Sequence, residues 1–242
     1  MESKSAAGTT EGNIEKDSLT AGESRVKFSA VWRGTIEDFL LDRPTAKTTF
    51  EATAQKLSEA LSIIEQTGAA PVMPDGKVGG NGAALLQVDS QSYFIVSKSG
   101  KQAGHCMKAY TDMCIVHNFS KKDWSVDYWS CDATVLPTSD TTLHYAALTA
   151  GEANGWSELP RAALHGHALA TEAMALEAGL PCSNEETLFS TPPDMAALLG
   201  LLAVFPYPKN KSFIRRGHGF FILGSDVAET VQTFESKIKP YM

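Results

Sequence analysis

From residue 25 onward, apolar and polar residues alternate along the chain in patterns that predict both helices and strands. The helical spacing of Ala54, Leu57, Leu61 and Ile64 predicts a long helix that begins at Thr48 or Thr49 and ends at Gly68. Similar stretches predict helices at residues 143–150, 168–179, 193–203 and 225–239. Short apolar runs predict strands at 83–88, 92–96, 112–119, 124–129, 213–215 and 220–223, with a hairpin turn at 89–91.

The beginning of the chain has a different character. Residues 1–24 contain few groups that could be buried, which predicts a disordered tail. Apolar residues return between 25 and 44, and they fit a short strand and a helical turn packed on the main domain. No internal repeat or linker follows residue 45. The predicted organisation is a tail (1–24), an N-terminal extension (25–45) and one mixed α/β domain (46–242).

Composition and charge exclude several classes of function. The 242 residues carry a net charge of −7 and contain no basic run, which disfavours binding to nucleic acid or to an anionic membrane. No apolar run is long enough to span a bilayer, and no secretory segment is present. No cysteine belongs to a CxxC pair, so we expect a cytoplasmic protein with reduced thiols at Cys106, Cys114, Cys131 and Cys182.

The pair His165 and His167, separated by Gly166, is the strongest chemical signal in the sequence. Alternate side chains of an extended strand share a face, so the two imidazoles would point to one place. An apolar run precedes the pair and a predicted helix follows it, which places the pair at the rim of a sheet. Two surface histidines near a turn are the ordinary alternative.

A third histidine completes a pattern typical of zinc. Catalytic zinc sites use protein ligands from both neighbouring and distant segments and leave one position open for water or substrate. His218 lies between two glycines in a predicted turn between two apolar strands. We therefore predict that His165, His167 and His218 bind zinc or another divalent metal.

Asp140 precedes a predicted helix, in the segment Pro137-Thr138-Ser139-Asp140. Asp140 is a good helix N-cap, and Thr138 and Ser139 favour turns. The functional alternative is that Asp140 reaches the metal as a ligand or proton carrier. Thr138 and Ser139 would then present hydroxyl and amide groups to an anion at the helix N-terminus.

Two glycine-containing turns, residues 79–82 and 97–101, could hold a phosphate. They offer backbone N–H groups, hydroxyls and lysine ammonium groups. Neither matches a P-loop. Each could equally be an ordinary turn.

Five motifs follow one another along the chain: Gly80-Asn81, Ser99-Gly100, Pro137-Thr138-Ser139-Asp140 with His144, His165-Gly166-His167 and Gly217-His218-Gly219. Their order resembles that of the class II aldolase/adducin family over about residues 46–242. The resemblance implies a single three-layer α/β domain with a central, mostly antiparallel sheet flanked by helices. It also implies a homotetramer with active sites between subunits, in which Tyr241 could reach a neighbouring site.

The resemblance assigns roles to individual residues. It implies metal binding by the three histidines, and substrate phosphate binding by Asn81, Ser99, Gly100, Thr138 and Ser139. Aldolases of the family have glutamate at the position of Asp140, and the ribulose-phosphate epimerase has aspartate. After the histidine pair, those enzymes use a tyrosine or an aspartate for proton transfer. Glu186 aligns there, with Glu185 the alternative one residue away. Gly82-Ala83-Ala84 lacks a hydroxyl that the family usually has.

These implications predict a zinc-dependent lyase, an aldolase, that acts on a sugar phosphate or related hydroxyketone through a metal-stabilised enediolate. A 4-epimerase or a dehydratase would share that intermediate, so both remain alternatives within carbohydrate metabolism. Catalytic proton transfer is assigned to Asp140 and Glu186. A non-catalytic, adducin-like assembly module is the alternative outside the enzymes, and the presence of all three histidines disfavours it.

Overall fold

The computed structural model describes residues 25–242, and the predicted tail at 1–24 lies outside these residues. Its centre is one eight-stranded sheet with the strand order β1-β5-β4-β3-β2-β6-β8-β7. Every neighbouring pair is antiparallel except the parallel pair β1 and β5. The strands are β1 Ser29–Thr35, β2 Asn81–Val88, β3 Gln91–Ser97, β4 Met113–Ser120, β5 Ser125–Ser130, β6 Ala162–Gly166, β7 Ser212–Arg215 and β8 Gly219–Gly224.

Helices cover both faces of this sheet. On one face lie α1 (Ile36–Leu40), α2 (Pro44–Gln66), α5 (Glu172–Glu177) and α7 (Val227–Lys237), which share one buried apolar cluster with the sheet. On the other face α4 (Thr141–Asn154) and α6 (Pro192–Val204) share a second cluster. A short helix α3 (Ala109–Asp112) and a final 3-10 turn (Lys239–Tyr241) complete the described elements.

The two clusters follow from alternation along the central strands. In β8, Phe220 and Ile222 face the first cluster, whereas Phe221 and Leu223 face the second. Because successive side chains of a strand point to opposite faces, a strand covered on both sides is apolar throughout. The three-layer architecture and the mostly antiparallel sheet are therefore as predicted.

The hairpin of β2 and β3 is also confirmed. It closes through Asp89 and Ser90, which have φ angles of 48° and 69°. Left-handed backbone at both turn residues is the geometry that two-residue hairpins favour.

Three helix predictions were wrong at their ends. Helix α2 begins at Pro44, four residues before the predicted cap, because proline at the first helical position needs no N–H partner. Helix α4 continues through Gly151 to Asn154, and Gly155 ends it with a φ of 63°. The helix predicted at 168–179 covers only Glu172–Glu177, capped by Thr171.

Residues 25–45, predicted as an N-terminal extension, contain a strand and a helical turn, as expected. The strand, β1, pairs in parallel with β5 and is an edge of the main sheet. None of the helices within residues 25–242 combines the length and the apolar composition that crossing a bilayer requires.

Candidate active site

Several strand ends meet at one edge of the sheet and bring the candidate residues together. Asn81, the first residue of β2, lies directly opposite His165, near the end of β6. His165 in turn pairs with Phe221 of β8, three residues after His218. Because β3 runs antiparallel to β2, the turn that follows Ser97 begins at the same edge. Sheet order therefore gathers motifs that are far apart in sequence.

The three predicted metal-binding histidines form one cluster. The ligand atoms of His165, His167 and His218 all lie within 4.8 Å of one another. The rings of His165 and His218 stack with their centroids 4.7 Å apart, and His167 lies 4.8 Å from His218. Three imidazoles at this spacing could hold a metal ion.

Hydrogen bonding fixes the orientation of His165. Its Nδ1 lies 2.6 Å from the carbonyl oxygen of Phe220, and since a carbonyl only accepts, Nδ1 carries the proton. The lone pair is therefore on Nε2, which is buried and has no hydrogen-bond partner. Burial lowers the pKa of His165 well below its ordinary value, although the Asp140 carboxylate opposes this shift. A buried neutral imidazole with an unused lone pair is the form that binds a metal.

Close backbone contact explains the two glycines beside these histidines. A Cβ at Gly166 would lie 2.6 Å from the Phe220 ring, and a Cβ at Gly219 would lie 2.1 Å from the Gly166 carbonyl oxygen. Gly219 also has a φ of 139°, which is outside the normal range for other residues. The glycines therefore let β6 and β8 approach closely enough to bring the histidines together.

Asp140 occupies the N-cap position of α4, but its carboxylate makes no capping hydrogen bond. Instead Oδ2 lies 3.5 Å from His165 Nε2 and 3.9 Å from His218 Nε2. Asn81 Nδ2 and Ser190 Oγ donate to this carboxylate at 2.9 and 3.0 Å. The side chain thus faces the histidine cluster, in contrast to the N-cap interpretation.

A buried arginine explains how Asp140 stays charged. Burial alone would raise the pKa of Asp140, but Arg215, whose nearest amino group lies 3.5 Å away, and the nearby histidines hold that pKa well below its ordinary value. Arg215 is itself buried and forms a two-pronged ion pair with Asp194 at the start of α6. The carboxylate of Asp140 is therefore a fixed negative charge beside the histidines.

The residues predicted to bind phosphate line the same pocket as the histidine cluster. Asn81, Ser99, Gly100, Thr138 and Ser139 share it with Asp140, His167 and His218. Two backbone hydrogen bonds join the glycine-containing turn at 97–101 to the segment before α4. The N–H of Thr138 donates to the carbonyl of Ser97, and the N–H of Ser99 donates to the carbonyl of Leu136. The side chain of Asn81 is largely engaged, since its amide donates to Asp140 and its oxygen accepts from His144 Nε2.

The two lysines of the glycine-containing turn carry compensated charges. Lys98 and Lys101 both line the pocket. Lys98 Nζ lies 2.5 Å from a carboxylate oxygen of Asp112, and Lys101 is paired with Glu65. Both ammonium groups therefore already interact with a carboxylate.

The two candidate glutamates lie in different places. Glu186 is exposed, and its side chain packs against Gly217, where an added Cβ would be 2.9 Å from Glu186 Cγ. It is thus beside the backbone of His218. Glu185 lines a separate groove formed with α6. The structure brings Glu186, but not Glu185, next to the histidine turn.

Sequence analysis missed Arg215 and Ser190, which contact Asp140, and Asp194, which pairs with Arg215. One signal was available, because Arg215 is a charged residue at the end of a buried strand, beside the His218 turn. Ser190 lies in a loop and Asp194 in the first turn of a helix, where such residues are ordinary. Only the fold shows that Ser190 donates to Asp140 and that Asp194 pairs with Arg215.

Comparison with known proteins rests on structure. No sequence model of a protein family matches the chain, and no curated protein matches it by sequence. A sugar-phosphate aldolase from Thermotoga maritima is similar in structure, with a TM-score of 0.54 at 14% identity over 78% of this chain and 91% of that one. An L-fuculose 1-phosphate aldolase from Glaciozyma antarctica PI12 has a TM-score of 0.51 at 16% identity, over 78% and 70%.

An aldolase II superfamily protein from Pseudomonas syringae gives a TM-score of 0.54 at 13% identity, over 76% of this chain and 70% of that one. The similarity covers most of the described residues in each case. At these identities it shows the fold. The chain therefore has the fold of the class II aldolase superfamily, as its motifs predicted.

Proposed function

We propose that this protein is a metal-dependent lyase of the class II aldolase type, which cleaves a carbon–carbon bond in a sugar phosphate or related hydroxyketone. One observation carries the proposal. The buried Nε2 of His165 has no hydrogen-bond partner and lies within 4.8 Å of the ligand atoms of His167 and His218. An uncompensated buried acceptor is costly unless something binds it.

His165, His167 and His218 would hold the metal, and zinc suits three neutral imidazoles with an open position. When bound, the metal supplies a Lewis acid that polarises substrate oxygens. The hydrogen bond from His165 Nδ1 to Phe220 keeps the ring in the tautomer that binds through Nε2.

The wall of the pocket formed by Ser99, Gly100, Thr138 and Ser139 would bind the substrate phosphate. Thr138 and Ser139 precede the N-terminus of α4, where unpaired N–H groups and the helix dipole favour an anion. Asn81 would add its remaining amide N–H. Fixing the phosphate there orients the reacting carbons toward the histidines.

Two carboxyl groups would divide the proton chemistry. Asp140 is buried, charged and held by Asn81, Ser190 and Arg215, so it serves as a fixed base or as a negative charge that orients the histidines. Glu186 is exposed beside Gly217, so it can exchange protons with water and carry them to and from the substrate.

Metal content and product analysis test this proposal together. Protein purified without chelator should contain close to one divalent ion per subunit. His165→Ala should reduce it to less than about one-tenth, because one of three ligands is lost. His105→Ala, which changes a half-exposed histidine paired with Asp112, is the matched control and should retain the metal.

Candidate sugar phosphates would then be incubated with the metal-loaded protein while aldehyde and ketone products are followed. Cleavage supports the lyase. Epimer without cleavage would move the function to a 4-epimerase, and loss of water would move it to a dehydratase. Wild-type protein without metal and without any turnover would favour a non-catalytic module.

We further propose a homotetramer with active sites at subunit interfaces, in the cytoplasm. The absence of disulfides among the four cysteines suits a reducing compartment. Tyr241, 41% exposed near the C-terminus, is available for contact with another subunit. Light scattering during size-exclusion chromatography measures the assembly, and a monomer with full activity would contradict shared sites.

A further inference from the structure

The segment before β1 lies beside the active-site pocket, where Arg25 is one of the lining residues. Phe28 is buried and Val26 packs on the same apolar cluster, so the segment is anchored on both sides of Lys27. Lys27 Nζ lies 4.8 Å from the centroid of the Phe189 ring, which stacks on His218. The segment therefore contacts Phe189, the ring that stacks on His218, although it lies outside the region of motif resemblance.

Arg25 forms part of the pocket wall, together with residues of both glycine-containing turns. Its Nη2 lies 2.7 Å from Asp75 Oδ2. Its Nε is buried, and within the described residues it has no hydrogen-bond partner. A buried guanidinium N–H without an acceptor in the protein is available to an acceptor from solution, such as a water or a ligand oxygen.

The charge balance of the wall singles out this arginine. Three side chains that carry a full positive charge line the pocket in residues 25–242, namely Arg25, Lys98 and Lys101. The lysines pair with Asp112 and Glu65, which have no other lysine or arginine partner among the described ion pairs. Asp75, in contrast, serves two cations, because Lys77 Nζ lies 3.4 Å from the same Oδ2. The group of Arg25, Lys77 and Asp75 thus keeps one net positive charge.

We propose that Arg25 binds the phosphate of the substrate and so determines specificity for a phosphorylated compound. A guanidinium donates several N–H bonds in a fixed plane, which suits a phosphate better than an ammonium does. The carboxylate of Asp75 lowers the net positive charge beside Arg25. This inference rests on the proposed function for the identity of the substrate, but its test does not depend on turnover.

The test uses inorganic phosphate as the probe and isothermal titration calorimetry on the full-length, metal-loaded protein. Arg25→Gln should weaken phosphate binding by about tenfold or more, the loss expected for a charge-assisted hydrogen bond. Arg25→Lys should fall between Arg25→Gln and wild type. Arg33→Gln is the matched control, since Arg33 lies on β1 and pairs with Asp127 away from the pocket. This variant should bind phosphate with the wild-type affinity.

Asp75→Asn provides an independent test in the opposite direction. Removal of this carboxylate leaves Arg25 with a stronger positive field, so phosphate should bind about two- to fivefold more tightly. Asparagine retains an oxygen that can accept from the Lys77 N–H, which preserves the turn. If Arg25→Gln does not fold, Arg25→Lys decides, because it changes the same side chain and should still bind phosphate more weakly than wild type.

Three results would overturn the inference. The first is that the wild-type protein does not bind phosphate at all. The second is that Arg25→Gln binds phosphate within about twofold of the wild-type affinity, and the third is that Asp75→Asn binds it with unchanged or weaker affinity. Phosphate binding that depends on Arg25 in a protein without lyase activity would leave the inference standing and remove the proposed function. Lyase activity in a protein whose phosphate binding does not depend on Arg25 would leave the proposed function standing and remove the inference.

Discussion

The hydrogen bonds of individual residues decide what the histidine cluster can do. His165 could present either nitrogen to the other two histidines, and the hydrogen bond to the Phe220 carbonyl selects Nε2. Asp140 could cap its helix, but an ion pair with Arg215 and a hydrogen bond from Asn81 hold its carboxylate beside the histidines instead. In both cases, partners that are distant in sequence convert an ordinary side chain into a candidate functional group.

At this scale we predict different outcomes for the neighbouring residues Glu186 and Glu185. Glu186→Gln should lower kcat by about 100-fold or more, because a general acid–base contributes on the order of 10²–10⁴. Metal content should not change, since Glu186 contacts the Gly217 backbone and is not one of the clustered ligands. Steady-state kinetics and metal analysis on the same preparations measure both effects.

Glu185→Gln is the matched control, because it removes the same charge one residue away in a separate groove. It should retain wild-type kcat. If Glu185→Gln loses turnover and Glu186→Gln keeps it, the assignment is reversed.

The strands β6 and β8 form the element on which the site depends. Their register places Gly166 opposite Phe220 and brings the Gly217–Gly219 turn against the end of β6. Ala69 accepts a hydrogen bond from the backbone N–H of His167, which fixes the chain beyond the strand. The close approach of β6 and β8 therefore fixes the positions of His167 and His218.

At this scale we predict that Gly219→Ala destabilises the fold and weakens metal binding together. A Cβ would lie 2.1 Å from the Gly166 carbonyl oxygen, at a φ of 139°. Backbone strain and overpacking should together cost about 2–4 kcal/mol of the free energy of unfolding. Urea denaturation measures this loss, and a metal titration measures the displaced histidines.

Gly200→Ala in α6 is the corresponding control, because no atom beyond its chain neighbours and the backbone of its own helix lies within 4 Å of the added methyl group. It should stabilise the protein by about 0.5–1 kcal/mol, since alanine is the better helix former. A Gly219→Ala protein as stable as wild type would contradict the close-packing argument.

For the whole molecule, a buried histidine links stability to pH. His144 is fully buried, its Nε2 donates to Asn81, and its Nδ1 has no partner. Burial lowers the pKa of His144 from 6.5 to about 4, despite the nearby Asp140 carboxylate. Between pH 6.5 and 4, the unfolded chain therefore binds a proton at this residue that the folded chain does not.

We predict that the protein loses stability as the pH falls through this window. Since the unfolded state binds more protons, the free energy of unfolding decreases with falling pH, by about 2 kcal/mol from this residue between pH 7 and 5. Urea denaturation at both pH values measures the change. His144→Gln keeps a donor for Asn81 but does not titrate. Between the same two pH values, the free energy of unfolding of this variant should therefore fall by less than that of wild type, and the difference should equal the contribution of His144. Equal losses in the two proteins would show that His144 is not the cause.

The sequence by itself determined most of the elements and the chemistry of the candidate metal ligands. Apolar periodicity predicted the long helix, the hairpin and the strands around Gly217-His218-Gly219, because such patterns depend on neighbours a few residues apart. It failed at helix ends such as Gly151, which a close contact with Leu159 keeps small inside α4. Imidazole at His165, His167 and His218 was sufficient to predict a metal, because few side chains bind zinc.

Only the tertiary structure decided which groups surround those ligands. Sheet order brings Asn81 beside His165, and helix packing places Asp194 against Arg215, which then keeps Asp140 charged. The path of the segment before β1 brings Arg25 to the pocket. These contacts join residues about twenty to eighty positions or more apart, and no local pattern encodes them. The electrostatic field of a site depends on distance in space, so the fold has to be known before it can be described.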